Sequence, residues 1–384
     1  MDKSLPSIIR KIEENTRNNN NNVIDVPYNS KTPILPKGYE LKERDVIVFA
    51  YHSETKTAYG YDNDNIYKST DDWETRESIF QPPSTEEFRM RGYGVGGRLL
   101  DDGSLLIATV TYPRGSNYGY LYKSNKDRTS FTKVLNLKGG IPTLAWGLKD
   151  YGNMIFVGEY GQIGRQVFMS VDYGATWKTI YDRPLDDINE EQQCHVHDVA
   201  YDIYRGIVWV SFGDGNNRKL IYSHNFGNEW HSLYSGIPPI DPIGILASPT
   251  HVMFGSDTTP NGIDALPYPD VTPKILSPVG LTRRWHGDKD DNQITLVSNA
   301  IEIDGVYYYA TTFSTARDIA YILCSPDGWN FYEMVKISLE AVDGPSGIMN
   351  LYDDGKGHLR AAVKTEYEGG YKELIVKKPT FKNI

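Results

Sequence analysis

Two cysteines in 384 residues are too few for a disulfide framework. Cys194 and Cys324 lie far apart in apolar, strand-like sequence, which points to two buried free thiols. Long hydrophobic runs are missing as well. No stretch of 18 apolar residues occurs, so no segment reads as a membrane-spanning helix. Basic excess is also lacking: the formal net charge is −10, which excludes a broad phosphate-neutralising surface and disfavours anionic membranes. The opening "MDKSLPSIIRKIEENTRNNNNN" has no apolar core of the kind a Sec-type leader needs, so such export is not expected.

What is present is strand chemistry. The chain has 28 Tyr and 7 Trp, with 35 Gly and 21 Pro scattered along it, as in proteins built from many short strands and turns. One stretch, "SVDYGATWKTIY" from Ser170, recurs in weaker form as "STDDWETRESIF" from Ser69, "SNKDRTSFTKVL" from Ser124, "SHNFGNEWHSLY" from Ser223 and "SPDGWNFYEMV" from Ser325. The serines are spaced by 55, 46, 53 and 102 residues, the last interval being two periods with a worn copy near "LPYPDVTPKILSP". Each copy follows a strand such as "QVFMS" or "KLIYS". Two further strands precede it, such as "VHDVAYD" and "IVWVSFGD". Four strands in roughly 40 to 50 residues is the period of a β-propeller blade.

The expectation is therefore an all-β chain, a β-propeller of four-stranded antiparallel blades. Inner strands should start near residues 36, 93, 143, 196, 243, 297 and 345. Seven blades fit best, and six is the alternative if the first or last unit fuses across the ring closure. Residues 1–30 stand apart as a short helix (Ile8, Ile9 and Ile12 on one stripe) and an Asn-rich linker from Asn18 to Asn22. Residues 31–384 form the propeller.

The repeat resembles the Asp-box, or BNR, repeat of sialidase-like propellers, Ser-x-Asp-x-Gly-x-Thr-Trp. Ser170, Asp172, Gly174, Thr176 and Trp177 match it in full, and the Ser223 copy departs at Asn225 and Glu229. The resemblance implies a structural turn: Asp accepts from turn amides, Gly takes a positive φ, and Trp packs between blades.

The boxes join third to fourth strands on one face of such a ring, so ligand chemistry is expected on the other. Loops there contribute Arg89, Arg91 and Tyr93, then His195, His197 and Asp198. They also contribute Arg283, Arg284, Trp285, His286 and Asp288. The hairpins add Glu159, Tyr160, Arg165, Asp214, Asn216, Arg218 and Asp257. Arg forks, carboxylates and aromatic faces suit sugar recognition. Trp285 and Tyr160 are the expected stacking surfaces, with Arg283, Arg284, Asp214 and Glu159 as polar contacts. His195 and His197, at i and i+2 on a strand, point the same way and form a candidate metal pair, with Asp198, Asp214 or His286 as a third ligand. The alternative is that the pair bonds backbone near the central channel. No other cofactor is expected. "YDNDN", Asp62 to Asn65, lacks the Gly and distal Glu of a calcium loop and reads as a hairpin turn.

The sialidase resemblance also implies an Arg triad, a Tyr–Glu nucleophile pair and an Asp acid/base. Phe88–Arg91 lacks the family's Pro, Pro345 stands where the nucleophilic Tyr would be sought, and no segment supplies the second Arg. Catalysis by that mechanism is not expected. The reading is a non-catalytic, glycan-binding propeller. Its plan of short attachment segment and propeller resembles phage tail fibres and receptor-binding proteins. On that reading the chain resides in a virion, binds a surface glycan or polymer and contacts other virion proteins through the N-terminal helix. It binds no nucleic acid and enters no membrane, and self-association into a homo-oligomer is compatible with it. An exo-glycosidase and a protein-binding assembly platform are the alternatives.

Overall fold

The computed structural model describes residues 32–62, 64–83, 96–110, 119–137, 141–142, 149–161, 164–189, 193–235, 241–257, 262–268, 281–286, 295–313, 319–338, 347–364 and 371–382. The proposed N-terminal helix, residues 269–278 of the worn box, and Phe88–Arg91, Tyr93, Asp288 and Pro345 lie outside the described residues. Within them no helix is long and apolar enough to cross a membrane.

Among the described residues the strands fall into seven antiparallel sets of four, the sixth and seventh joined into one eight-stranded sheet by the pairing of Thr312 with Gly347. The first sheet runs Ile47–His52, Thr57–Tyr61, Ile66–Ser69 and Glu77–Phe80; the second, Gly96–Leu99, Leu105–Val110, Gly119–Ser124 and Phe131–Leu137. The third comprises Lys149–Tyr151, Met154–Tyr160, Gln166–Ser170 and Lys178–Asp182, and Ile141–Pro142 also pairs with its second strand. The fourth comprises His195–Asp202, Ile207–Gly213, Lys219–Ser223 and His231–Ser235; the fifth, Pro242–Ala247, His251–Ser256, Gly262–Pro267 and Thr282–His286. The sixth comprises Thr295–Ile303, Val306–Phe313, Ile319–Ser325 and Tyr332–Ser338. The seventh takes Gly347–Asp353, His358–Lys364 and Tyr371–Lys377, and its outer strand is Tyr39–Arg44 from the other end of the chain.

That last pairing corrects the sequence-based register of the first unit. The segment near residue 36 does not open an inner strand; Tyr39–Arg44 pairs with Tyr371–Lys377, and the first inner strand begins at Ile47. The reason is closure: the last sheet takes its outer strand from residues 39–44, so strands far apart in the chain are tied into one sheet. Thr32–Ile34 pairs with Thr380–Lys382 and draws the two ends together again.

Seven apolar clusters lie between neighbouring sheets in cyclic order. Phe49 and Tyr61 of the first meet Ile107 and Tyr122 of the second; Leu106 and Leu121 meet Ile155 and Phe168 of the third. Phe156 faces Val196 and Phe212, Trp209 faces Phe254, and Ile263 and Trp285 face Tyr309 and Tyr321. Ile322 packs on Ile348, and Val46 and Val48 pack on Tyr352 of the seventh sheet, which completes the circuit. Alternating residues of a strand serve the clusters on its two sides, which is why these strands read as near-continuous apolar runs. Cys194 and Cys324 are buried and unbonded within this packing.

The box turns explain the repeat. Gly174 N donates to Ser170 Oγ at 2.8 Å, Thr176 N and Oγ1 donate to the Asp172 carboxylate at 2.9 and 2.6 Å, and Gly174 has φ +77°. The Ser223 copy makes the same turn with an amide in place of the carboxylate: Gly227 N donates to Ser223 Oγ and Glu229 N to Asn225 Oδ1, both at 2.9 Å. Its Trp230 reaches the third sheet, where Nε1 donates to the Ile180 carbonyl at 3.1 Å. The Asp62 segment is a hairpin turn, with Asp62 Oδ1 accepting from Asp64 and Asn65 amides at 2.9 Å.

Closure is fixed by charge as well as by pairing. Glu373 is 2% exposed and accepts from Arg44 at 2.7 Å, Arg360 at 2.8 Å and Tyr352 at 2.7 Å. Glu373→Ala leaves two guanidinium groups facing a gap and is expected to cost about 3 kcal/mol, read from chemical denaturation. A loss under a few tenths would show that the strand pairing closes the ring unaided. For the box, Asp172→Ala is expected to cost about 1 kcal/mol and Asp172→Asn only a fraction of that, since Asn225 does the same work naturally. Burial would raise the Asp172 pKa, but bonds from Thr176 and Ser170 outweigh it and hold it below the ordinary value. Its stabilisation is therefore present above the ordinary carboxylate range and lost as pH falls through the lower folded value. Thermal melts of wild type and Asp172→Asn should converge at acid pH.

Candidate functional site: a histidine–carboxylate cluster

The fourth sheet begins where the chemistry gathers. Its inner strand carries a bulge between Val196 and Asp198, so His197 is the extra residue opposite the Phe212–Ser211 step. Similar register shifts interrupt the inner strands of the first, fifth, sixth and seventh sheets. A bulge re-aims a side chain. Here His195 and His197 converge, with Nε2 to Nε2 at 3.0 Å and both residues 1% exposed. Gly213, opposite His195, leaves the space the His197 ring occupies: a Cβ there would lie 2.1 Å from His197 Cε1.

Neighbouring loops supply the carboxylates. Asp214 follows the second strand of the same sheet, its oxygens 3.5 Å from His197 Nε2 and 3.7 Å from His195 Nε2. Its loop is anchored by buried Asn217, which donates to the Asn189 and Gln193 carbonyls at 3.0 and 3.1 Å and accepts from Asn189 N at 2.7 Å. Asp241 and Asp257 come from the fifth sheet, before its first strand and after its second. Asp241 Oδ1 lies 3.3 Å from His197 Nδ1, and Asp257 Oδ2 lies 3.6 Å from His197 Nε2. Arg218 Nε sits 2.8 Å from Asp241 Oδ2. The third sheet adds Tyr160, whose ring centroid is 4.1 Å from that of His195. Three adjacent sheets thus build one cluster on the face opposite the box turns. Its floor of His195, His197 and Asp241 is buried, and its rim of Asp214, Arg218 and Asp257 is accessible.

The electrostatics follow from that layering. Burial, reinforced by its histidine neighbour, pushes His195 down to about 4. Burial also opposes a charge on His197, but Asp241 and Asp214 outweigh it and raise His197 well above the ordinary value. Burial raises Asp257 to about 7, with Asp241 and Asp214 reinforcing the shift against His197. Asp214 is held down to about 2, because His197 and His195 more than offset its burial.

Not every sequence candidate joins this cluster. Glu159 is 1% exposed and its Oε2 accepts from Gln166 N at 3.2 Å, so its place is in the sheet and not at a ligand surface. Arg165 donates to the Arg183 carbonyl at 2.7 Å and pairs with Asp182. Arg283 pairs with Asp264 at 2.8 Å within the fifth sheet; Arg284 lies 3.8 Å over Trp329 and donates to its carbonyl. Trp285 is a correction to the sequence reading. It is 8% exposed, belongs to the core between the fifth and sixth sheets, and its Nε1 faces Glu333 Oε1 at 3.3 Å. Its position late in an outer strand, not in the loop after it, turns the indole inward. The His286 side chain lies outside the described residues. Asp198 is no ligand: Oδ1 accepts from Val199 N, and Oδ2 accepts from Ile245 N at 2.6 Å, which ties the fourth sheet to the fifth. Asp241 was missed by the sequence reading. The signal available was its place at the start of an inner strand, two residues before the bulge, as with His195 one sheet earlier.

These sheets and their cyclic packing make the chain a β-propeller. No family model matches the sequence and no curated protein does, so the Asp-box resemblance rests on the turns themselves. Solved structures share the architecture. YCF48 bound to D1 peptide superposes with TM-score 0.54 at 12% identity, covering 90% of this chain and 99% of that one. U3-55K gives 0.54 at 12% identity over 89% and 100% of the two chains. The periplasmic gluconolactonase PpgL of Pseudomonas aeruginosa gives 0.52 at 9% identity over 89% and 99%. At such identities the likeness is one of fold.

Two substitutions separate core from cluster. Trp285→Ala is expected to cost about 3 to 5 kcal/mol of stability, while leaving the histidine resonances in place. Gly213→Ala is expected to cost about 1 to 3 kcal/mol through overpacking and to move the His195 and His197 imidazole signals in NMR spectra. Unmoved signals would show that the Gly213 backbone does not hold the His197 ring.

Proposed function

We propose that this propeller is a recognition module that binds a hydroxyl-rich ligand, a surface carbohydrate, on the face carrying the histidine–carboxylate cluster, without turning it over. The carrying observation is the convergence of loops from three adjacent sheets on one buried floor with an accessible charged rim. Sugar hydroxyls are held by charged forks and carboxylates, and pyranose faces stack on aromatic rings. Arg218, Asp214 and Asp257 offer the first and Tyr160 the second. The sequence lacks the recognisable sialidase catalytic set, which supports binding over hydrolysis. The receptor-binding role in a phage particle, with residues 1–30 as attachment segment, belongs to the same proposal and rests on the likeness of plan.

A glycan array probed with the purified chain tests the reading. A saturable hit should weaken by about tenfold in Tyr160→Ala and in Asp257→Asn, the loss of roughly one stacking or charged contact each. Binding unchanged in both variants would remove this face from the function. Turnover of a fluorogenic glycoside or a lactone, lost in Asp257→Asn, would replace recognition by hydrolysis. A blank array with capture of a peptide or protein partner on this face would favour the assembly platform.

A further inference from the structure

The cluster brings one ligand atom each from His195, His197 and Asp214 within 4.8 Å of one another. His195 Nδ1 lies 3.3 Å from the Gly161 carbonyl, and His197 Nδ1 lies 3.3 Å from Asp241 Oδ1. The Gly161 carbonyl is an acceptor, so a neutral His195 that carries its proton on Nδ1 turns the lone pair of Nε2 toward His197, whose own Nδ1 faces the Asp241 carboxylate as an ion-pair partner. The two Nε2 atoms face each other at 3.0 Å, with Asp214 oxygens at 3.7 and 3.5 Å from them. Atoms this close are held together either by a proton on His197 Nε2, donated to His195, or by a metal cation among them.

We infer that His195 Nε2, His197 Nε2 and Asp214 bind a divalent first-row transition ion, zinc being the natural occupant. Four ligands at 2.0 to 2.2 Å around zinc stand roughly 3.4 Å apart along each tetrahedral edge. The separations here, 3.0, 3.5 and 3.7 Å, bracket that value. Two imidazoles and a carboxylate select zinc-like ions over calcium or magnesium, which take oxygen. The surroundings are those of a built site. Asp241, 1% exposed, faces His197 Nδ1 at 3.3 Å and pairs with Arg218, which places a carboxylate behind the ligand ring as in carboxylate–histidine–metal sites. Three protein ligands leave a fourth position for water or a bound molecule, and Asp257 stands 3.6 Å from His197 Nε2. This metal site does not depend on the carbohydrate reading: metal binding is read without any sugar, so either proposal can fail alone.

The rival occupant is a proton, shared by an imidazolium and the carboxylates. The full chain, stripped with a chelator and desalted, is titrated with zinc chloride by calorimetry, and bound metal is counted by mass spectrometry after a second desalting. The expected result is about one zinc per chain with micromolar or tighter affinity. His195→Gln and Asp214→Asn should weaken it at least a hundredfold. Asp241→Asn, which touches only the second layer, should weaken it about 10- to 100-fold. Zinc should raise the melting temperature of wild type and not of the ligand variants, with circular dichroism confirming that each variant is folded. Substoichiometric zinc in wild type, or equal affinity in the folded ligand variants, would overturn the assignment and leave the proton in place.

Discussion

Everything in this protein depends on the joint between its two ends. Tyr39–Arg44 adds the outer strand to a sheet whose other three strands come from residues 347–377, and Glu373 gathers Arg44, Arg360 and Tyr352 beneath it. Without that strand the Tyr371–Lys377 edge would lack its partner, and a ring that failed to close would leave one apolar face uncovered. Closure also stiffens what it encloses. With each sheet packed on two neighbours, the loops at one edge cannot drift apart without prising open a core between sheets.

The histidine–carboxylate cluster is built on that rigidity. No single sheet contains it: the fourth supplies His195, His197 and Asp214, the fifth Asp241 and Asp257, and the third Tyr160. Asp198, bonded to the Ile245 amide at 2.6 Å, fixes the height of the fifth sheet against the fourth, and so the distance of Asp241 from His197. Burying two histidines among three aspartates is costly unless the charges meet partners. Arg218 and the mutual approach of the rings and carboxylates provide them, and a bound cation would do so more fully.

Much of the scaffold was legible in the residues. The box turns announce themselves because their chemistry is local: a serine, a carboxylate or amide two residues on, and a glycine complete the turn within a dozen positions. The alternation of apolar strands with turns is equally local, so the four-stranded period could be read from the Ser69 to Ser325 spacing. The cluster was legible in part. Strand order places His195, His197, Asp214, Arg218, Asp257 and Tyr160 on one side, and the structure brings these side chains near one another. Trp285, Arg283 and Arg284 were not separable from them, since a residue near a strand end and one in the loop beyond look alike in sequence.

By itself, then, the sequence determined a β-sheet repeat, its turn chemistry and the side of the ring on which polar loops fall, because each rests on contacts a few residues apart. Tertiary structure alone decided three things. Tyr39–Arg44 became the last strand of the ring instead of the first, a pairing across more than 300 positions that no local pattern encodes. The bulge at His197 and the bare Gly213 backbone beside it set two imidazole nitrogens 3.0 Å apart. Asp241, inconspicuous before its strand, came to face His197 because the fifth sheet packs on the fourth at a fixed height. Distances between atoms of different sheets are products of core packing, and that packing exists only once the ring has closed.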